Sequence, residues 1–350
     1  MSPPATARAW ILLSAMALIA PALIAGNLPR AVAQERERDK LIVASWNLEW
    51  FYDDHPGDNY TELAKEQSAP SAEAWAWKRD TVAAAIAKMK PDLLALQEIE
   101  NQQVLYYLTQ RLKSNHGLSY RIAYVQGHDY FTEQDVAVLY RQDAIEVGRW
   151  EGTLEDARNQ SLSSVNKHMF AKFYVGQGEQ RQVLTLVNLH LRARAEQAER
   201  RARQARQLNV WLRRLPPEQR QRLIVLGDFN TEHQFGATVA TPSELDVLRS
   251  GETENDADDL LDLHQWIAAD ARATHLSGGQ FDRLLVSPAL ARREAAESGP
   301  VLESVRVGKE FCVRGTPDRS HWEQSAYWTI PNDERDVSDH YPLIATFRFR

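Results

Sequence analysis

The sequence predicts a single α/β domain in which mixed β-sheets are covered by helices. Short apolar runs that end in polar side chains recur along the chain, and segments of helical character separate some of them. Strands and helices do not alternate strictly, which favours mixed sheets over a purely parallel sheet. Because no repeat, low-complexity tract or linker follows Lys40, residues 41–350 are predicted to form one domain with a large core.

The amino terminus has the pattern of an export signal. Arg8 precedes an apolar run at residues 10–25, and Ala31-Val32-Ala33 has the small residues of a cleavage site. We therefore expect residues 1–33 to be a signal peptide cleaved near Ala33, and residues 34–40 to be a charged spacer. The alternative is an uncleaved membrane anchor, for which the apolar run is short. Cleavage would place a mature chain without a transmembrane segment in the periplasm or outside the cell.

Composition narrows the classes of function. The formal net charge of −7 gives no general attraction for nucleic acid, whereas a cluster of carboxylates is a binding site for Mg²⁺ or Ca²⁺. Cys312 is the single cysteine, which excludes an intrachain disulfide. Stability is therefore expected to come from the core, with a bound metal as a further contribution.

The predicted strands share an apolar run with a polar residue at one end. In chain order they are residues 41–45, 92–97, 120–125, 136–140, 167–175, 183–191, 223–226, 281–286 and 341–349. Gly176 and Gly178 lie between two of these runs, which indicates a hairpin. Polar side chains are thus expected to collect where the strands end.

Helices are predicted at residues 74–89, 102–113 and 195–215. Pro91 stops the first of them, and Pro216 closes the last. Residues 53–71 are polar and contain two prolines, so we expect a surface loop there. The acidic stretch at residues 252–262 lacks the alternating spacing and central glycine of a calcium loop, and we expect a solvated loop that runs into a helix.

The stretch Leu223-Ile224-Val225-Leu226-Gly227-Asp228-Phe229-Asn230 carries the strongest local signal. Four consecutive apolar residues predict a strand buried on both faces, and Gly227 interrupts it. Asp228 and Asn230 are two residues apart, so on extended backbone both face the same pocket at the end of the strand. The alternative is an Asx-turn that merely closes the strand.

Polar residues at other strand ends complete a candidate site. Carboxylate and amide oxygens are ligands for a hard divalent cation, and histidines titrate near neutral pH and move or stabilise protons. No serine nucleophile elbow, Walker loop or zinc-type Cys/His spacing competes with this set. The pattern predicts metal-assisted hydrolysis of a phosphate ester. Its members are Asn47, Glu98, His190, Asp228, Asn230, Asp282, Asp339 and His340.

Six motifs in this order resemble the endonuclease/exonuclease/phosphatase superfamily, which includes deoxyribonuclease I, apurinic endonucleases, neutral sphingomyelinases and inositol polyphosphate phosphatases. The resemblance covers residues 41–349 and implies a deoxyribonuclease I-like four-layer α/β sandwich. In that fold two packed mixed β-sheets are flanked by helices, and the site lies at one rim. The motifs are Trp46-Asn47, Gln97-Glu98, Asn188-Leu189-His190, Gly227-Asp228-Phe229-Asn230, Asp282-Arg283 and Ser338-Asp339-His340.

The resemblance also implies the roles of the metal-binding residues. Glu98 resembles the principal ligand of the divalent cation, with Asn47 and Asp339 assisting it. The expected ion is Mg²⁺ or Mn²⁺, with Ca²⁺ as a further candidate. Asp228 and Asn230 resemble the residues that orient or deprotonate the attacking water and hold the scissile phosphate.

The two catalytic histidines have separate implied roles. His340 would contact the phosphate and pair with Asp282, and His190 would lie close to the leaving-group oxygen. Asp135 is our candidate for the carboxylate partner of His190, and Glu133 lies on the same face of an extended chain, so spacing does not decide between them.

Surface residues are expected to determine which phosphodiester is the substrate. Arg192 and Arg194 follow His190 and are candidates for contacts to flanking phosphates, whereas the arginines at 200–214 are expected on a solvated helix face. The aromatic residues of segment 311–335 would stack on bases, contact lipid or pack against the sandwich.

We expect a monomeric nuclease that hydrolyses DNA or RNA with low sequence specificity. The alternatives are a sphingomyelinase-like enzyme or another phospholipid or inositol-phosphate hydrolase, and, more remotely, a non-catalytic binding module on the same fold.

Overall fold

Two six-stranded mixed β-sheets with helices outside them form the computed structural model. The structure describes residues 39–152, 165–237, 243–251, 253–292, 300–314 and 324–349. In chain order the strands are β1 (Lys40–Phe51), β2 (Leu93–Ile99), β3 (Arg121–Tyr124), β4 (Asp135–Tyr140), β5 (Asp143–Gly148), β6 (His168–Val175), β7 (Gln182–His190), β8 (Leu223–Asp228), β9 (Leu261–Asp262), β10 (Asp282–Val286), β11 (Pro300–Val307) and β12 (Leu343–Phe349).

The helices of the described residues lie between the strands in sequence. They are α1 (Glu62–Gln67), α2 (Ala72–Met89), α3 (Gln102–His116), α4 (Ala198–Arg213), α5 (Pro217–Arg220), α6 (Glu244–Ser250) and α7 (Gln324–Tyr327). Ser71 and Asn101 cap the amino termini of α2 and α3, and each side chain accepts a hydrogen bond from a backbone amide of the first turn.

Strand order brings the polar strand ends to one edge of each sheet. The first sheet runs β11-β12-β1-β2-β4-β3, and the second runs β5-β6-β7-β8-β10-β9. β1 is parallel to β2, with Asn47 opposite Gln97, and β7 is parallel to β8, with His190 opposite Asp228. β10 is antiparallel to β8, which places the first residue of β10, Asp282, opposite Asp228. The carboxyl ends of four strands and the start of a fifth therefore meet at one rim.

Three apolar clusters produce the layers. The first contains residues of both sheets, such as Val43 and Phe173, and fills the space between them. The second packs α2 and α3 on the outer face of the first sheet, and the third packs α4 and α6 on the second sheet. Because each sheet buries both faces, its central strands are continuous apolar runs rather than alternating ones. The predicted α/β sandwich of two mixed sheets is confirmed.

A buried polar bridge joins the two sheets beneath the rim. The Asn188 amide donates to the backbone carbonyls of Leu96 and Ala137, and its oxygen accepts a hydrogen bond of 2.7 Å from Gln97 Nε2. All polar atoms of this buried amide that face the first sheet are therefore paired. The bridge fixes the position of β7 in the second sheet relative to β2 in the first, and with it the position of His190 relative to Glu98.

Two local predictions are wrong. Residues 53–71 contain helix α1, which begins because Thr61 caps it by accepting a hydrogen bond from Ala64 N. The acidic stretch ends in strand β9 and a 3-10 turn rather than running into an α-helix. Asp262 of that stretch is buried and lies 3.1 Å from the Arg283 guanidinium, so it is an internal ion pair and not a solvated loop residue.

The predicted signal peptide lies outside the described residues. The described residues between 39 and 349 belong to one compact unit. Within the ranges that the structure describes, no helix has both the length and the apolar character needed to cross a bilayer.

Candidate active site

Asp228 lies at the centre of the polar rim. Its Oδ2 accepts hydrogen bonds from Asn47 Nδ2 at 3.0 Å and from Asn230 Nδ2 at 3.2 Å. Its Oδ1 accepts the backbone N–H of Asn230 at 2.8 Å, which is an Asx-turn, and Asn230 has a positive φ of 49°. The Asx-turn is therefore part of the candidate site, because it holds the Asp228 carboxylate toward Asn47 in the first sheet.

Gly227 makes this placement of Asp228 sterically possible. Its φ is +135°, and a Cβ atom built on it would lie 1.9 Å from the backbone oxygen of Leu189 on the neighbouring strand. Only glycine adopts this conformation at such a close approach of two backbones. The glycine of the motif is thus needed for the close contact between β7 and β8.

Two histidines lie on either side of Asp228. His190 Nε2 is 3.5 Å from Asp228 Oδ2 and 3.9 Å from Glu98 Oε1. His340 Nδ1 is 2.8 Å from Asp282 Oδ2, and its Nε2 is 3.8 Å from Asp228 Oδ2. The sequence analysis assigned five residues from four motifs to catalysis, and the structure brings all five together. They are His190, Asp228, Asn230, Asp282 and His340.

The two rings differ in charge because their neighbours differ. Burial disfavours the charged form of His340, but Asp282, Asp228 and Asp339 outweigh it and raise its pKa well above the usual value. Burial lowers the pKa of His190 far below the usual value, and the positive charges of Lys167 and other neighbours add to the effect. His340 is therefore an imidazolium near neutral pH, and His190 is a neutral imidazole.

Glu98 faces this group from the first sheet. Its Oε1 accepts a hydrogen bond from Asn47 Nδ2 at 3.1 Å, and its Oε2 accepts the backbone N–H of Trp50 at 2.9 Å. The side-chain oxygen of Asn47 accepts from Glu49 N at 2.9 Å. In this arrangement the Asn47 amide positions the carboxylates of Glu98 and Asp228, and its oxygen points to the backbone rather than into the rim.

Asp339 has partners that the sequence analysis did not identify. Its Oδ2 lies 3.3 Å from His275 Nε2, and its backbone N–H donates to Glu49 Oε2 at 3.0 Å. His275 also forms an isolated β-bridge with His340. A signal for Glu49 was its place two residues after Asn47, and a signal for His275 was its place seven residues before Asp282.

The donor set fits a divalent cation. Burial and the negative charge of Asp339 raise the pKa of Glu98 to about 7, and a cation between carboxylates relieves that repulsion. Within the described residues, ligand atoms of Asp228, Asp282 and His340 lie within 4.8 Å of one another, as do those of His275, Asp339 and His340. Oxygen ligands from Glu98 and Asp339 suit Mg²⁺ or Mn²⁺.

The predicted carboxylate partner of His190 is wrong. Asp135 accepts hydrogen bonds from Gly127 N at 2.7 Å and from the Tyr124 hydroxyl. Glu133, the alternative, accepts from the backbone amides of Tyr60 and Thr61. Spacing along an extended chain gives the face of a side chain, but donors from a neighbouring loop decide its partner. Nδ1 of His190 has no hydrogen-bond partner among the described atoms.

The arginines after His190 divide into exposed and structural ones. Arg192 is half-buried and Arg194 is exposed, and both backbone carbonyls accept hydrogen bonds from Arg201. Arg201 was expected on a solvated helix face, but it is fully buried and lies 3.2 Å from Glu244. Its guanidinium therefore shapes the loop that presents Arg192 and Arg194.

The aromatic segment before Asp339 packs against the sandwich where it is described. Tyr327 is buried and forms edge contacts with Trp77 and Trp328, and the Arg335 guanidinium lies over all three rings. Cys312, which precedes Tyr327 in sequence, is buried, and its thiol donates to the His340 carbonyl at 3.1 Å. Trp322 lies outside the described residues.

Solved structures share this fold over most of the chain. Humanized D. rerio TDP2 with 14 mutations is 16% identical, with 88% of this chain and 99% of that chain covered and a TM-score of 0.53. The human Nocturnin catalytic domain with bound sulfate is 15% identical, with 89% and 95% covered and a TM-score of 0.53. D. rerio TDP2 complexed with single strand DNA product is 18% identical, with 88% and 99% covered and a TM-score of 0.51. The TM-scores show a common fold.

The sequence itself gives the family. No curated protein matches the chain. The sequence pattern of the Endonuclease/Exonuclease/phosphatase family matches residues 44–340, which include every residue of the rim described above. The chain therefore belongs to the endonuclease/exonuclease/phosphatase family, whose members are metal-dependent hydrolases of phosphoric esters.

Proposed function

We propose that this protein is an exported, divalent-metal-dependent phosphodiesterase that hydrolyses DNA or RNA with low sequence specificity. The observation that carries the proposal is the position of Asp228 between a neutral and a charged histidine, 3.5 Å and 3.8 Å from their Nε2 atoms. This arrangement combines a group that accepts a proton with a group that neutralises negative charge on phosphorus.

Glu98 and Asp339 would hold the cation, with Asn47 orienting the Glu98 carboxylate. When bound, a divalent cation supplies positive charge that polarises the phosphoryl oxygen and stabilises the transition state. The raised pKa of Glu98 supports this assignment, because a carboxyl close to a second carboxylate gains most from a neighbouring cation.

The protein side chains have complementary roles. Burial raises the pKa of Asp228, which makes its carboxylate a stronger base toward a water molecule. The Asp282 carboxylate fixes the His340 ring, and the imidazolium donates a hydrogen bond to a non-bridging phosphate oxygen. Neutral His190, facing both Asp228 and Glu98, is placed to move a proton at the oxygen that leaves or attacks.

Nucleic acid is the substrate that the surface supports best. Arg192 and Arg194 lie just beyond His190, where they would meet phosphates that flank the scissile one. A protein of the same fold, D. rerio TDP2, has been solved with a single strand DNA product. Export remains part of the proposal and rests on the signal-like pattern at residues 1–33.

The test is a substrate panel assayed with and without chelator. The chain from residue 34 onward would be incubated with Mg²⁺ or Mn²⁺ and plasmid DNA, RNA, sphingomyelin vesicles or inositol phosphates. We expect cleavage of nucleic acid that chelator abolishes, and a loss in kcat of about 10²-fold or more in D228N. The exposed Glu66→Gln variant is the matched control and should retain full activity.

Two outcomes contradict the proposal. Release of phosphocholine from sphingomyelin with plasmid DNA left intact would replace the nuclease assignment with a lipid hydrolase. Unchanged hydrolysis of a small phosphodiester in H190A would show that the rim is not the active site.

A further inference from the structure

Three aromatic side chains extend into solvent more than any other large hydrophobic residue of the described chain. They are Tyr60, Tyr130 and Phe131, which are 87%, 74% and 61% exposed. Singly exposed aromatic residues are common on protein surfaces, but adjacent ones next to a catalytic centre indicate a contact surface. Tyr130 and Phe131 are adjacent, and we refer to them as the rim aromatic pair.

The rim aromatic pair lies on the loop at residues 125–134, beside the active site. This loop precedes β4, whose first residue pairs with Ile99, the neighbour of Glu98. The Tyr52 hydroxyl donates to the Thr132 carbonyl at 2.7 Å. Lys167 Nζ lies 2.9 Å from Asp129 Oδ2, and the Lys167 carbonyl accepts the backbone N–H of His190 at 2.9 Å. Lys167 thus connects the loop to His190.

The loop is fixed from within, so the two rings are held outward. Asp129 accepts hydrogen bonds from the backbone amides of Phe131 and Thr132 and from the Thr132 hydroxyl. Glu133 ties the end of the loop to the amides of Tyr60 and Thr61. These polar contacts use the backbone and the acids, and within the loop the Tyr130 ring also stacks on His128, with ring centroids 6.2 Å apart.

Positive charges line the side of the loop nearest His190. Arg200 lies close enough to Arg192 and to Asp129 for their charges to act on it, which places a second guanidinium beside the loop. Asp54 and Asp58 are close to Tyr60 in sequence, and the backbone N–H of Tyr60 donates to Glu133 at the end of the loop. A polyanion is therefore attracted by the arginines after His190 and repelled by the carboxylates near Tyr60.

We propose that Tyr130 and Phe131 stack on unpaired bases next to the scissile phosphate, so that the enzyme prefers single-stranded nucleic acid. Arg192 and Arg200 contact the phosphates of the same strand. The proposal rests on the nuclease function proposed above and specifies the substrate class of that site. Stacking on a ring face is independent of base identity, which agrees with low sequence specificity.

A membrane surface fits the loop less well than unpaired bases do. His128, Asp129 and Glu133 flank the two rings in sequence, and insertion of the rings would carry these polar groups toward the lipid headgroups. Stacked bases leave such groups in water. Tyr130 also has a hydroxyl 3.4 Å from His128 Nδ1, which insertion would take out of water.

Binding in EDTA tests the proposal without turnover. A fluorescein-labelled 15-nucleotide oligo(dT) and a blunt 15-base-pair duplex would be titrated with the chain from residue 34 onward, and anisotropy measured. We expect tighter binding of oligo(dT), and a Kd increase of about 10-fold to 100-fold for Y130A/F131A with little change for the duplex. Y130F/F131Y should bind like the wild type. Y174A, an exposed tyrosine on β6, is the matched control and should also be unchanged.

The outcomes separate this inference from the proposed function. Equal affinity of the wild type for both probes, or an unchanged Kd in Y130A/F131A, overturns the inference even if plasmid DNA is cleaved. Loss of binding to sphingomyelin vesicles in Y130A/F131A, with no effect on oligo(dT), also overturns it and assigns the pair to a lipid surface. Preferential binding of oligo(dT) without cleavage in Mg²⁺ would support the inference and refute the nuclease function.

Discussion

His190 and His340 show how strongly neighbouring charges determine the role of a residue. Both rings are buried and both approach the same Asp228 oxygen. Three carboxylates keep His340 protonated, whereas burial and nearby cations keep His190 neutral. A charged imidazole suits a phosphate contact and a neutral imidazole suits proton transfer, so the same residue type supplies two different functions within one site.

Glu100 provides a residue-scale prediction that does not involve the catalytic groups. Burial raises its pKa to about 7, although hydrogen bonds from Asp53 N and Asn59 Nδ2 oppose the shift. The folded chain thus binds a proton that the unfolded chain has released. The stability from this carboxyl is complete below pH 4.5 and is lost as the pH rises through about 7.

The measurement is urea unfolding of the wild type and E100Q at pH 5 and pH 8. We expect the free energy of unfolding of the wild type, relative to E100Q, to decrease by about 1–3 kcal/mol between these pH values. E66Q alters an exposed carboxylate and should show no such trend. A difference between wild type and E100Q that does not change with pH would contradict the assigned pKa.

The residue types of the site could be predicted from sequence, but several partners could not. Asp282 and His340 come from distant motifs, and the structure places them 2.8 Å apart as expected. Asp135 was assigned to His190, yet Tyr124 and Gly127 donate to it. Hydrogen-bond partners depend on loops whose path a sequence pattern does not determine.

At the scale of elements, the parallel pair of β7 and β8 carries the site. The pair places His190 opposite Asp228, and β8 in turn places Asp228 opposite Asp282. Such precise placement needs the two backbones to approach closely, and Gly227 allows it. The geometry of the acid and the histidine therefore depends on a residue without a side chain.

Gly227→Ala tests this dependence. A Cβ atom would lie 1.9 Å from the Leu189 oxygen, so the strands must separate, and we expect a loss of about 3 kcal/mol or more in the free energy of unfolding. Gly57 has open space around its Cα, and G57A should change stability by less than about 1 kcal/mol. Equal stability of the two variants in urea unfolding would contradict the close approach.

Element prediction succeeded where both faces of a strand are buried. The hairpin of β6 and β7 and the helices α2 and α4 were predicted from apolar runs and helical spacing. β5 and β11 were not predicted, because each is an edge strand whose outward residues are exposed. A half-exposed strand has no continuous apolar run, and its neighbours in the sheet, rather than its own sequence, make it a strand.

At the scale of the whole molecule, the site is formed by residues from both sheets of the sandwich, which meet at the interface between the sheets. Glu98 comes from the first sheet, and His190, Asp228 and Asp282 come from the second. The order of the motifs identified the family, but their convergence at one rim depends on how the sheets stack. The hydrogen bonds of the Asn188 amide to the first sheet, together with the hydrogen bond from Asn47 to Asp228, are polar contacts that help to fix this stacking.

The thiol of Cys312 can report local opening of the structure, because a buried thiol reacts with alkylating reagents only when it becomes exposed. It is the single cysteine, its side chain is fully buried, and burial raises its pKa well above the usual value. Because the thiol is buried in an apolar cluster and contacts the His340 carbonyl, a reagent such as iodoacetamide reaches the sulfur only when the structure around Cys312 opens.

We expect alkylation in the native state to be slow, and G227A to accelerate it about tenfold for each 1.4 kcal/mol of stability that the variant loses. Mass spectrometry of quenched samples would follow the modified fraction. Rapid labelling without loss of activity would contradict the packing at this position. The rate at which Cys312 is alkylated therefore reports how often the structure around the catalytic rim opens, and it can be measured without any substrate.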